Sequence, residues 1–407
     1  MKKPELLVPA GSPEVFRTAV RYGADAVYIG GEAFSLRAKA KNFGPEEMAE
    51  GIAYAHEHGV KVHVTANIIA HEKDLTEAER YFRELRELGP DALIISDPGL
   101  FAMAKELCPD TELHVSTQAN NTNSAAFRFW HAAGAKRVVC ARELSLSEIK
   151  EIRAAVPEEL ELECFIHGAM CISYSGRCLL SAYFTGRSAN SGECTHPCRW
   201  KYFISEETRP GEYLPVEEND RGTFIFNSRD LCMVEHIPEL IDAGIDSFKI
   251  EGRMKHALYV AMVARTYRRA IDLYAESEEA YRNAMEELKS EIRKSTYRPY
   301  STGFYFGRPG SEGQIYTDST YVTGCVYLGC AGKKDERGLV PIIQKNKFAV
   351  GDEIEIMKPD GRNVKTKVEG MLNAAGEAVQ SCPHAAEEIW LKLDEEADEG
   401  DILRTVS

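Results

Sequence analysis

The sequence has no long hydrophobic run. No apolar stretch within its 407 residues approaches the roughly 20 residues that a membrane-spanning helix requires. The first nine residues contain two lysines and a short apolar run that is too short for the core of a signal peptide, and no small-residue cleavage site follows it. We therefore expect a cytoplasmic protein that has no membrane partner.

The sequence also has too few positive charges to balance its negative ones. It contains 49 lysines and arginines against 64 aspartates and glutamates, which gives a formal net charge of −15. Proteins that bind nucleic acids normally present a basic face. An RNA partner would therefore require a locally basic patch on an acidic body.

Two common protease motifs are absent. The chain has no Gly-x-Ser-x-Gly nucleophile elbow and no His-Glu-x-x-His zinc motif. His167 and Cys171 are close enough in sequence to suggest a catalytic dyad, but Cys171 fits better as a metal ligand in the cysteine-rich segment around it. These absences argue against a peptidase without excluding one.

The eleven cysteines do not indicate disulfides, because the cytosol keeps thiols reduced. Clustered cysteines in such a protein bind metal or carry out redox chemistry more often. Five lie close together in the sequence: Cys171, Cys178, Cys194, Cys198 and Cys232. An iron–sulfur cluster and a structural zinc site would both use these thiolates. The segment lacks the Cys-x2-Cys pairs typical of zinc, although spacing alone barely separates the two metals.

Short β-branched runs alternate with helical segments along the first half of the chain, which predicts parallel strands joined by right-handed crossovers. The predicted strands are residues 6–8, 26–29, 62–65, 92–95, 113–116, 137–140, 162–166 and 247–250. A Gly-x-Asp sequence precedes three of them, at 23–25, 89–91 and 244–246. This recurrence favours a closed TIM-like (β/α)8 barrel over the alternative, an open doubly wound sheet.

The connection between predicted strands 7 and 8, residues 169–245, is far longer than an ordinary loop and carries the clustered cysteines. After strand 8, residues 256–293 have helical character, and the sequence then changes to short β-rich runs with turn signals. We therefore predict a barrel domain at 1–300 that includes this insertion, a linker at 301–312 and a small β-barrel at 313–407.

In a (β/α)8 barrel, residues that follow the strands converge on one face, where barrel enzymes have their active sites. The candidates for catalysis are His167, Glu251, Arg142 and Arg253, and those for substrate binding are Gly11, Gly30, Asn67 and Gln118. Each also has a purely structural interpretation. Arg142 can pair with Glu143, Glu251 can pair with Lys249 or Arg253, His167 can be a hydrogen-bonded strand-end residue, and the glycines can form turns.

Several motifs together resemble the collagenase-like peptidase family, peptidase family U32. The most specific is Glu-x-Phe-x2-Gly-Ala-Met-Cys-x4-Gly-x-Cys-x-Leu-Ser at 163–181. Others are Leu-Val-Pro-Ala-Gly at 7–11, Ala-Arg-Glu-Leu-Ser at 141–145, Asn-Ser-Arg-Asp-Leu at 227–231 and Lys-Ile-Glu-Gly-Arg-Met-Lys at 249–255. The resemblance covers the whole predicted barrel, and the tail resembles the small C-terminal domain of longer members.

The resemblance implies two kinds of activity. The family is named for reported collagen degradation, whereas better-supported members take part in oxygen-independent hydroxylation of the tRNA wobble uridine, an rRNA cytidine or ubiquinone precursors. Those members are associated with a [4Fe–4S] cluster and with prephenate as the hydroxyl source. Their cluster ligands correspond to Cys171, Cys178, Cys194 and Cys232, with Cys198 as an alternate ligand.

The resemblance also suggests roles for residues at the predicted barrel mouth. Arg142 and Arg253 would bind a small dicarboxylate such as prephenate through forked hydrogen bonds. His167 or Glu251 would transfer a proton. Two further residues of the shared motifs, Arg229 and Lys249, are added to the substrate-binding candidates.

We expect a tRNA wobble-uridine hydroxylase, because the extra β-domain resembles small barrels that contact RNA in translation proteins. The alternatives are a collagenase-like peptidase and a non-catalytic, cluster-bearing subunit of an rRNA or quinone-precursor hydroxylase. The expected partners are tRNA and a small dicarboxylate, and a protein partner or a second copy of the chain is also possible.

Overall fold

The computed structural model gives the structure of most of the chain. It describes residues 2–32, 34–35, 42–171, 173–191, 193–200, 204–205, 213–214, 218–219, 222–223, 228–309, 313, 315, 322–384 and 386–406. Among these residues, no helix combines the length and the apolarity needed to cross a membrane.

Eight parallel strands close into a barrel, which confirms the TIM-like prediction and excludes the open sheet. They are β1 (Glu5–Pro9), β2 (Ala26–Gly30), β3 (Lys61–Ala66), β4 (Ala92–Ile95), β5 (Glu112–Val115), β6 (Arg137–Val139), β7 (Glu161–Ala169) and β13 (Ser247–Ile250). Strand β13 pairs with both β7 and β1 and so completes the ring.

The recurring Gly-x-Asp sequence has a structural cause. Gly23, Gly89 and Gly244 adopt positive φ angles of 102°, 67° and 73°, which end the preceding turn or helix. The aspartate that follows each glycine accepts a hydrogen bond from a backbone N–H of a neighbouring strand. Asp25 accepts from the N–H of Leu6, Asp91 from that of Val62, and Asp246 from that of Leu162. The motif therefore joins adjacent strands at the amino-terminal end of the barrel.

Helices cover the outside of the barrel. They are α1 (Pro13–Arg21), α2 (Pro45–Glu57), α3 (Leu75–Leu88), α4 (Pro98–Leu107), α5 (Ser124–Ala133), α6 (Leu146–Ala155), α8 (Ile237–Asp242) and α9 (Ala257–Glu276). Helix α6 begins with a capping box, in which Ser145 and Glu148 exchange side-chain and backbone hydrogen bonds. Helices α10 (Glu278–Asn283) and α11 (Met285–Arg293) follow α9.

The insertion after β7 extends from the carboxyl end of the barrel. It contains α7 (Leu180–Thr185), β8 (Ile204–Ser205), β9 (Tyr213–Leu214), β10 (Glu218–Asn219), β11 (Gly222–Thr223) and β12 (Asp230–Cys232). Strand β12 runs antiparallel to the end of β7, which extends beyond the barrel. This pairing returns the chain to the barrel and places Cys232 opposite His167.

Short strands connect the barrel to the C-terminal domain. They are β14 (Thr296–Tyr297), β15 (Tyr300–Ser301) and β16 (Val322–Thr323). Strand β15 pairs with β12, and β14 pairs with β16. The predicted linker, 301–312, therefore starts at a residue of β15, and its residues 310–312 lie outside the described part of the chain.

The C-terminal domain is a nearly closed antiparallel barrel with the strand order β17-β22-β19-β20-β21-β18. Its strands are β17 (Tyr327–Cys330), β18 (Val340–Ile343), β19 (Glu353–Met357), β20 (Asn363–Asn373), β21 (Glu388–Leu393) and β22 (Ile402–Thr405). The domain packs against the first: Tyr22, directly after α1, donates to the Met357 carbonyl (2.6 Å), and Arg404 donates to Glu291 of α11 (2.7 Å). We refer to it as the β-domain.

Candidate functional site at the barrel mouth

The carboxyl ends of the barrel strands surround a polar pocket, which we call the mouth pocket. It is lined by Tyr28, Thr65, Asn67, Ile94, Ser116, Thr117, Gln118, Arg142, Phe165, Lys249, Glu251 and Arg253. Six of these were predicted from the sequence: Asn67, Gln118, Arg142, Lys249, Glu251 and Arg253. They come from the carboxyl ends of four strands, β3, β5, β6 and β13, and from the connections that follow them, as the barrel topology requires.

Arg142 follows β6 and forms one wall of the pocket. Its Nη1 donates to the Ala169 carbonyl (2.8 Å), and its guanidinium lies over the Phe165 ring at 4.1 Å from the centroid. Its Nε is buried and has no hydrogen-bond partner among the described residues. The sequence also allows an ion pair between Arg142 and Glu143. The structure instead holds Arg142 against the carboxyl end of β7.

Gln118 lies beside Arg142 in the lining of the pocket, in a short turn after β5. Its Oε1 is also buried and has no hydrogen-bond partner in the described part of the chain. Buried polar atoms without partners are rare in folded proteins. Arg142 Nε and Gln118 Oε1 therefore indicate a place where a bound polar molecule would complete the hydrogen bonding.

Arg253 is buried at the opposite side of the pocket. Its Nη1 donates to Ser35 Oγ (2.5 Å) and Thr65 Oγ1 (3.1 Å), and its Nη2 donates to Asn42 Oδ1 (2.9 Å). Gly30 lies so close to this guanidinium that a Cβ atom there would overlap it. The structure therefore places Gly30 beside Arg253 and outside the lining of the pocket.

An ion network inside the barrel lies next to the pocket. Lys249 Nζ donates to Glu163 Oε1 (2.7 Å), and Glu163 Oε2 also accepts from Arg137 Nη1 (3.1 Å) and Ser247 Oγ (3.3 Å). Burial alone would raise the pKa of Glu163, but Lys249 and Arg137 overcome that effect and lower this pKa to about 2. Glu163 is therefore ionised at neutral pH, and it fixes the Lys249 ammonium at the pocket.

His167 does not join the mouth pocket. It is buried and packs against the rings of Tyr259, Tyr267 and Tyr300, with centroid distances of 6.0, 5.5 and 5.4 Å. Burial lowers its pKa to about 3, so its imidazole is neutral at physiological pH. Glu251 lines the pocket instead, next to His167 in the fold: its backbone N–H donates to the His167 carbonyl (2.9 Å).

Two other predicted substrate residues also lie outside the lining of the mouth pocket. Gly11 lines a separate cavity between the barrel and the β-domain. The backbone N–H of Arg229 donates to the Gly313 carbonyl (3.1 Å), and the buried Arg229 Nε has no hydrogen-bond partner among the described residues. The structure thus brings six of the ten predicted catalytic and substrate-binding residues together.

The five clustered cysteines lie on three neighbouring segments. Cys171 and Cys178 are on the loop after β7, Cys194 and Cys198 follow α7, and Cys232 ends β12. Cys194 Sγ is 3.8 Å from Ser181 Oγ and 3.9 Å from His196 Nδ1. Cys232 Sγ accepts from the Tyr267 hydroxyl at 3.7 Å, and burial raises the pKa of this thiol to about 11.

These thiols have the donor chemistry that an iron–sulfur cluster requires. Their positions do not yet form a binding site, because no three Cys, His, Asp or Glu side chains of the described residues converge at a possible metal position. A cluster would require the cysteine segments to close around it.

The cysteine-bearing loop is attached to the wall of the mouth pocket. The Asn120 side chain donates to the Ser175 carbonyl (2.8 Å) and accepts from Arg177 Nε (2.7 Å). Gly176, which has a φ angle of 72°, packs directly against the Gln118 side chain. A change in the conformation of this loop would therefore be transmitted to Gln118.

The fold defines a TIM-barrel protein with a polar pocket at the carboxyl ends of its strands and a second, β-barrel domain. The chain belongs to peptidase family U32. The sequence pattern of peptidase family U32 matches residues 11–315, and that of the peptidase family U32 C-terminal domain matches residues 324–404.

Curated relatives extend this similarity over the full length of the chain. The chain is 39% identical to tRNA hydroxylation protein P1 of Bacillus subtilis (strain 168) over 404 residues, which cover 99% of this chain and 95% of the relative. It is 38% identical to tRNA hydroxylation protein P of Escherichia coli (strain K12), with 98% and 95% coverage. It is also 39% identical to the 23S rRNA 5-hydroxycytidine C2501 synthase of the same bacterium, over 67% of this chain and 40% of that protein.

Proposed function

We propose that this protein is a tRNA-modifying hydroxylase that converts the wobble uridine to 5-hydroxyuridine in the cytoplasm without molecular oxygen. The observation that carries the proposal is the similarity to tRNA hydroxylation proteins across both domains. The 23S rRNA synthase, which is similar over 67% of this chain, supports hydroxylation of a pyrimidine base in RNA as the shared chemistry.

We further propose that the mouth pocket binds prephenate, a small dicarboxylate, as the hydroxyl source. Arg142, Lys249 and Arg253 provide three positive charges around the pocket, with Glu251 as the carboxylate among its lining residues. A guanidinium binds a carboxylate through two parallel N–H donors, and Arg142 Nε is such a donor. The Gln118 carbonyl oxygen would accept a hydrogen bond from a hydroxyl group of the same molecule.

In this proposal Glu251 is the proton-transfer group. It lines the pocket, whereas the neutral His167 is held among tyrosines beneath it. A carboxylate in the lining of the pocket is within reach of a bound hydroxyl group, so it can accept a proton from that group and return it later in the reaction. His167 then keeps the backbone of Glu251 in place through its carbonyl group.

The proposed cofactor is a [4Fe–4S] cluster held by Cys171, Cys178, Cys232 and either Cys194 or Cys198. Such a cluster would supply electron-transfer chemistry beside the mouth pocket. The support is the presence of five cysteines on the segments that follow β7 and α7 and at the end of β12, and the hydrogen bonds that join the first of these segments to Asn120, two residues after Gln118.

The proposed function is tested in a bacterium that lacks its own tRNA hydroxylation proteins. We expect expression of this chain to restore 5-hydroxyuridine at the wobble position, measured by mass spectrometry of digested tRNA after anaerobic growth. Omission of prephenate synthesis in the host is expected to abolish the modification. Unmodified tRNA in a strain that contains soluble, iron-loaded protein would contradict the proposal.

Arg142→Lys is expected to reduce kcat/KM for hydroxylation by about 10- to 100-fold, because lysine keeps the charge but loses the paired donors and the planar contact with Phe165. The assay uses purified protein with tRNA and prephenate. Arg83→Lys is the matched control, since Arg83 forms an exposed ion pair with Glu79 on α3. Equal activity of the two variants would show that Arg142 does not contact the substrate.

One observation favours a peptidase as a second candidate: Cys194 and His196 form a thiol–imidazole contact of 3.9 Å. A cysteine nucleophile requires such a base within reach. The same thiol is a proposed cluster ligand, so the two functions exclude each other at Cys194. Gelatin hydrolysis by iron-free protein, abolished by Cys194→Ser, would favour the peptidase.

A further inference from the structure

A cavity of about 670 Å³ lies between the barrel and the β-domain, and we call it the interdomain cleft. The barrel contributes the start of α1 and the connection from β13 to α9, including Glu14 and Lys255. The β-domain contributes Tyr327 and Lys345, among others. The cleft therefore exists only because the chain has both domains.

The interdomain cleft is positively charged although the whole chain is strongly negative. Its ionic lining consists of Arg253, Lys255 and Lys345 against one carboxylate, Glu14. A cavity of similar size at the amino-terminal ends of the barrel strands is balanced, with five cationic and five acidic side chains. The lining of the interdomain cleft is thus net positive on an acidic chain, whereas the lining of the other cavity is neutral.

The two lysines of the cleft are held in place by the two domains. Lys345 Nζ donates to Glu14 Oε2 (2.8 Å), and Tyr327 donates to Glu14 Oε1 (2.6 Å). Lys255 Nζ lies over the Tyr259 ring at 4.8 Å and donates to the Thr296 carbonyl (3.4 Å). Both ammonium groups belong to the lining of the cleft and so lie where they can contact a bound anion.

The interdomain cleft adjoins the mouth pocket through Arg253, which lines both cavities. A nucleotide that enters the mouth pocket is covalently attached to a sugar–phosphate backbone, which needs a path across the neighbouring surface. Phosphate groups are contacted mainly by lysine and arginine side chains, and these contacts position the nucleic acid without reading its sequence.

We propose that the interdomain cleft binds the phosphodiester backbone of tRNA next to the nucleotide that is modified, with Lys255 and Lys345 as the phosphate-contacting residues. The proposal rests on the proposed function and assigns a role to the β-domain: it supplies one side of the RNA-binding surface. Glu14 restrains this site, because it neutralises part of the charge of Lys345.

The test is the salt dependence of binding to an unmodified tRNA transcript, measured by fluorescence anisotropy between about 50 and 200 mM salt. Each released phosphate contact reduces the slope of log K against log salt by about 0.7–0.9. We expect Lys255→Ala and Lys345→Ala each to reduce the slope by that amount and to weaken binding several-fold at low salt. Glu14→Gln is expected to have the opposite effect and to strengthen binding.

Lys392→Ala is the matched control, because Lys392 is an exposed lysine of the β-domain, paired with Glu369 on β20 and absent from the lining of the cleft. Its slope should equal that of the unaltered protein. If the two side chains act through electrostatic contact with RNA, Lys345→Ala and Glu14→Gln have opposite effects on binding. If they act only through the packing of the two domains, both variants weaken binding. Unfolding midpoints of each variant provide the check on packing.

Unchanged slopes for Lys255→Ala and Lys345→Ala, in a chain that binds tRNA and restores 5-hydroxyuridine, would overturn this inference while leaving the proposed function intact. The unaltered chain could instead fail to restore the modification while still binding tRNA, with a salt slope that the two lysine variants reduce as expected. That result would contradict the proposed function and support the RNA-binding cleft.

Discussion

Glu163→Gln is expected to lower the free energy of unfolding by about 3–5 kcal/mol at pH 7, because it leaves the buried Lys249 ammonium without its carboxylate, whereas Arg137 keeps Glu5 and Glu161. Glu163 is fully buried, and it accepts hydrogen bonds from Lys249 and Arg137. The glutamine side chain has nearly the same shape, so the change removes charge and leaves the volume of the barrel interior intact. Urea denaturation of the two proteins measures the difference.

The loss of stability caused by Glu163→Gln is expected to depend on pH. The folded-state pKa of Glu163 is lowered to about 2 from an ordinary value of 4.5, so its ionisation stabilises the protein fully above pH 4.5. This stabilisation is lost as the pH falls from about 4.5 to 2. We therefore expect the difference in stability between the two proteins to be constant near neutral pH and to shrink over that acidic range.

Glu79→Gln is the control for both measurements. Glu79 forms an exposed ion pair with Arg83, and such pairs contribute about 0–1 kcal/mol. A difference of that small size for Glu163→Gln, or one that does not change between pH 4.5 and 2, would show that the interior network does not hold an ionised carboxylate.

The barrel could be predicted from the sequence because its signals are local. The β-branched runs form the strands, and the Gly-x-Asp sequence marks three strand starts. The structure shows that the aspartate in each case bonds to a neighbouring strand, for example Asp91 to Val62. This hydrogen bond needs only the aspartate side chain and one backbone N–H of the neighbouring strand. The same short sequence can therefore recur at several strands.

The position of His167 could not be predicted, because it depends on the register between two strands that are distant in sequence. Phe165 lines the mouth pocket, and simple alternation would place His167 on the same side of β7. The pairing of β13 with β7 is irregular there: Lys249 pairs with Phe165, and Ile250 pairs with His167. The extra residue, Ile166, turns His167 away from the pocket and towards the tyrosines of α9.

The interior ion network was also missed, although its members are visible in the sequence as charged residues within apolar strands. No sequence pattern shows that the side chains of Glu163, Lys249 and Arg137 meet inside the barrel. Their convergence is a property of the closed ring of strands. The mouth pocket, in contrast, was largely predictable, since any residue that follows a barrel strand lies near that end.

The positions of the charges resolve the apparent conflict between an acidic protein and an RNA substrate. The total of −15 says nothing about local fields, which act over about one Debye length, roughly 8 Å at physiological salt. The interdomain cleft and the mouth pocket each have more cationic than acidic side chains in their lining. The acidic remainder of the surface would repel RNA elsewhere and so favour binding in one orientation.

Replacement of a cluster cysteine is expected to have the largest effect on activity. We expect anaerobically purified protein to contain about four irons and four sulfides per chain, the content of one [4Fe–4S] cluster. Cys178→Ser and Cys232→Ser should each lose the iron and the hydroxylation of tRNA together, because a missing thiolate leaves one iron without its protein ligand. Iron and sulfide analysis, an absorption spectrum and the tRNA nucleoside assay measure these losses.

The remaining cysteines make the test specific. Cys330→Ser in β17 of the β-domain serves as the control, since this half-buried thiol lies in the other domain from the proposed ligands and should leave the iron content unchanged. Cys194→Ser and Cys198→Ser then identify the fourth ligand, because only one of them should abolish iron binding. Stoichiometric zinc, or unchanged variants without metal, would rule out the cluster and leave the Cys194–His196 contact as the chemistry to be explained. Loss of iron with unchanged tRNA hydroxylation would show that the reaction does not need the cluster and would contradict its proposed role as the cofactor.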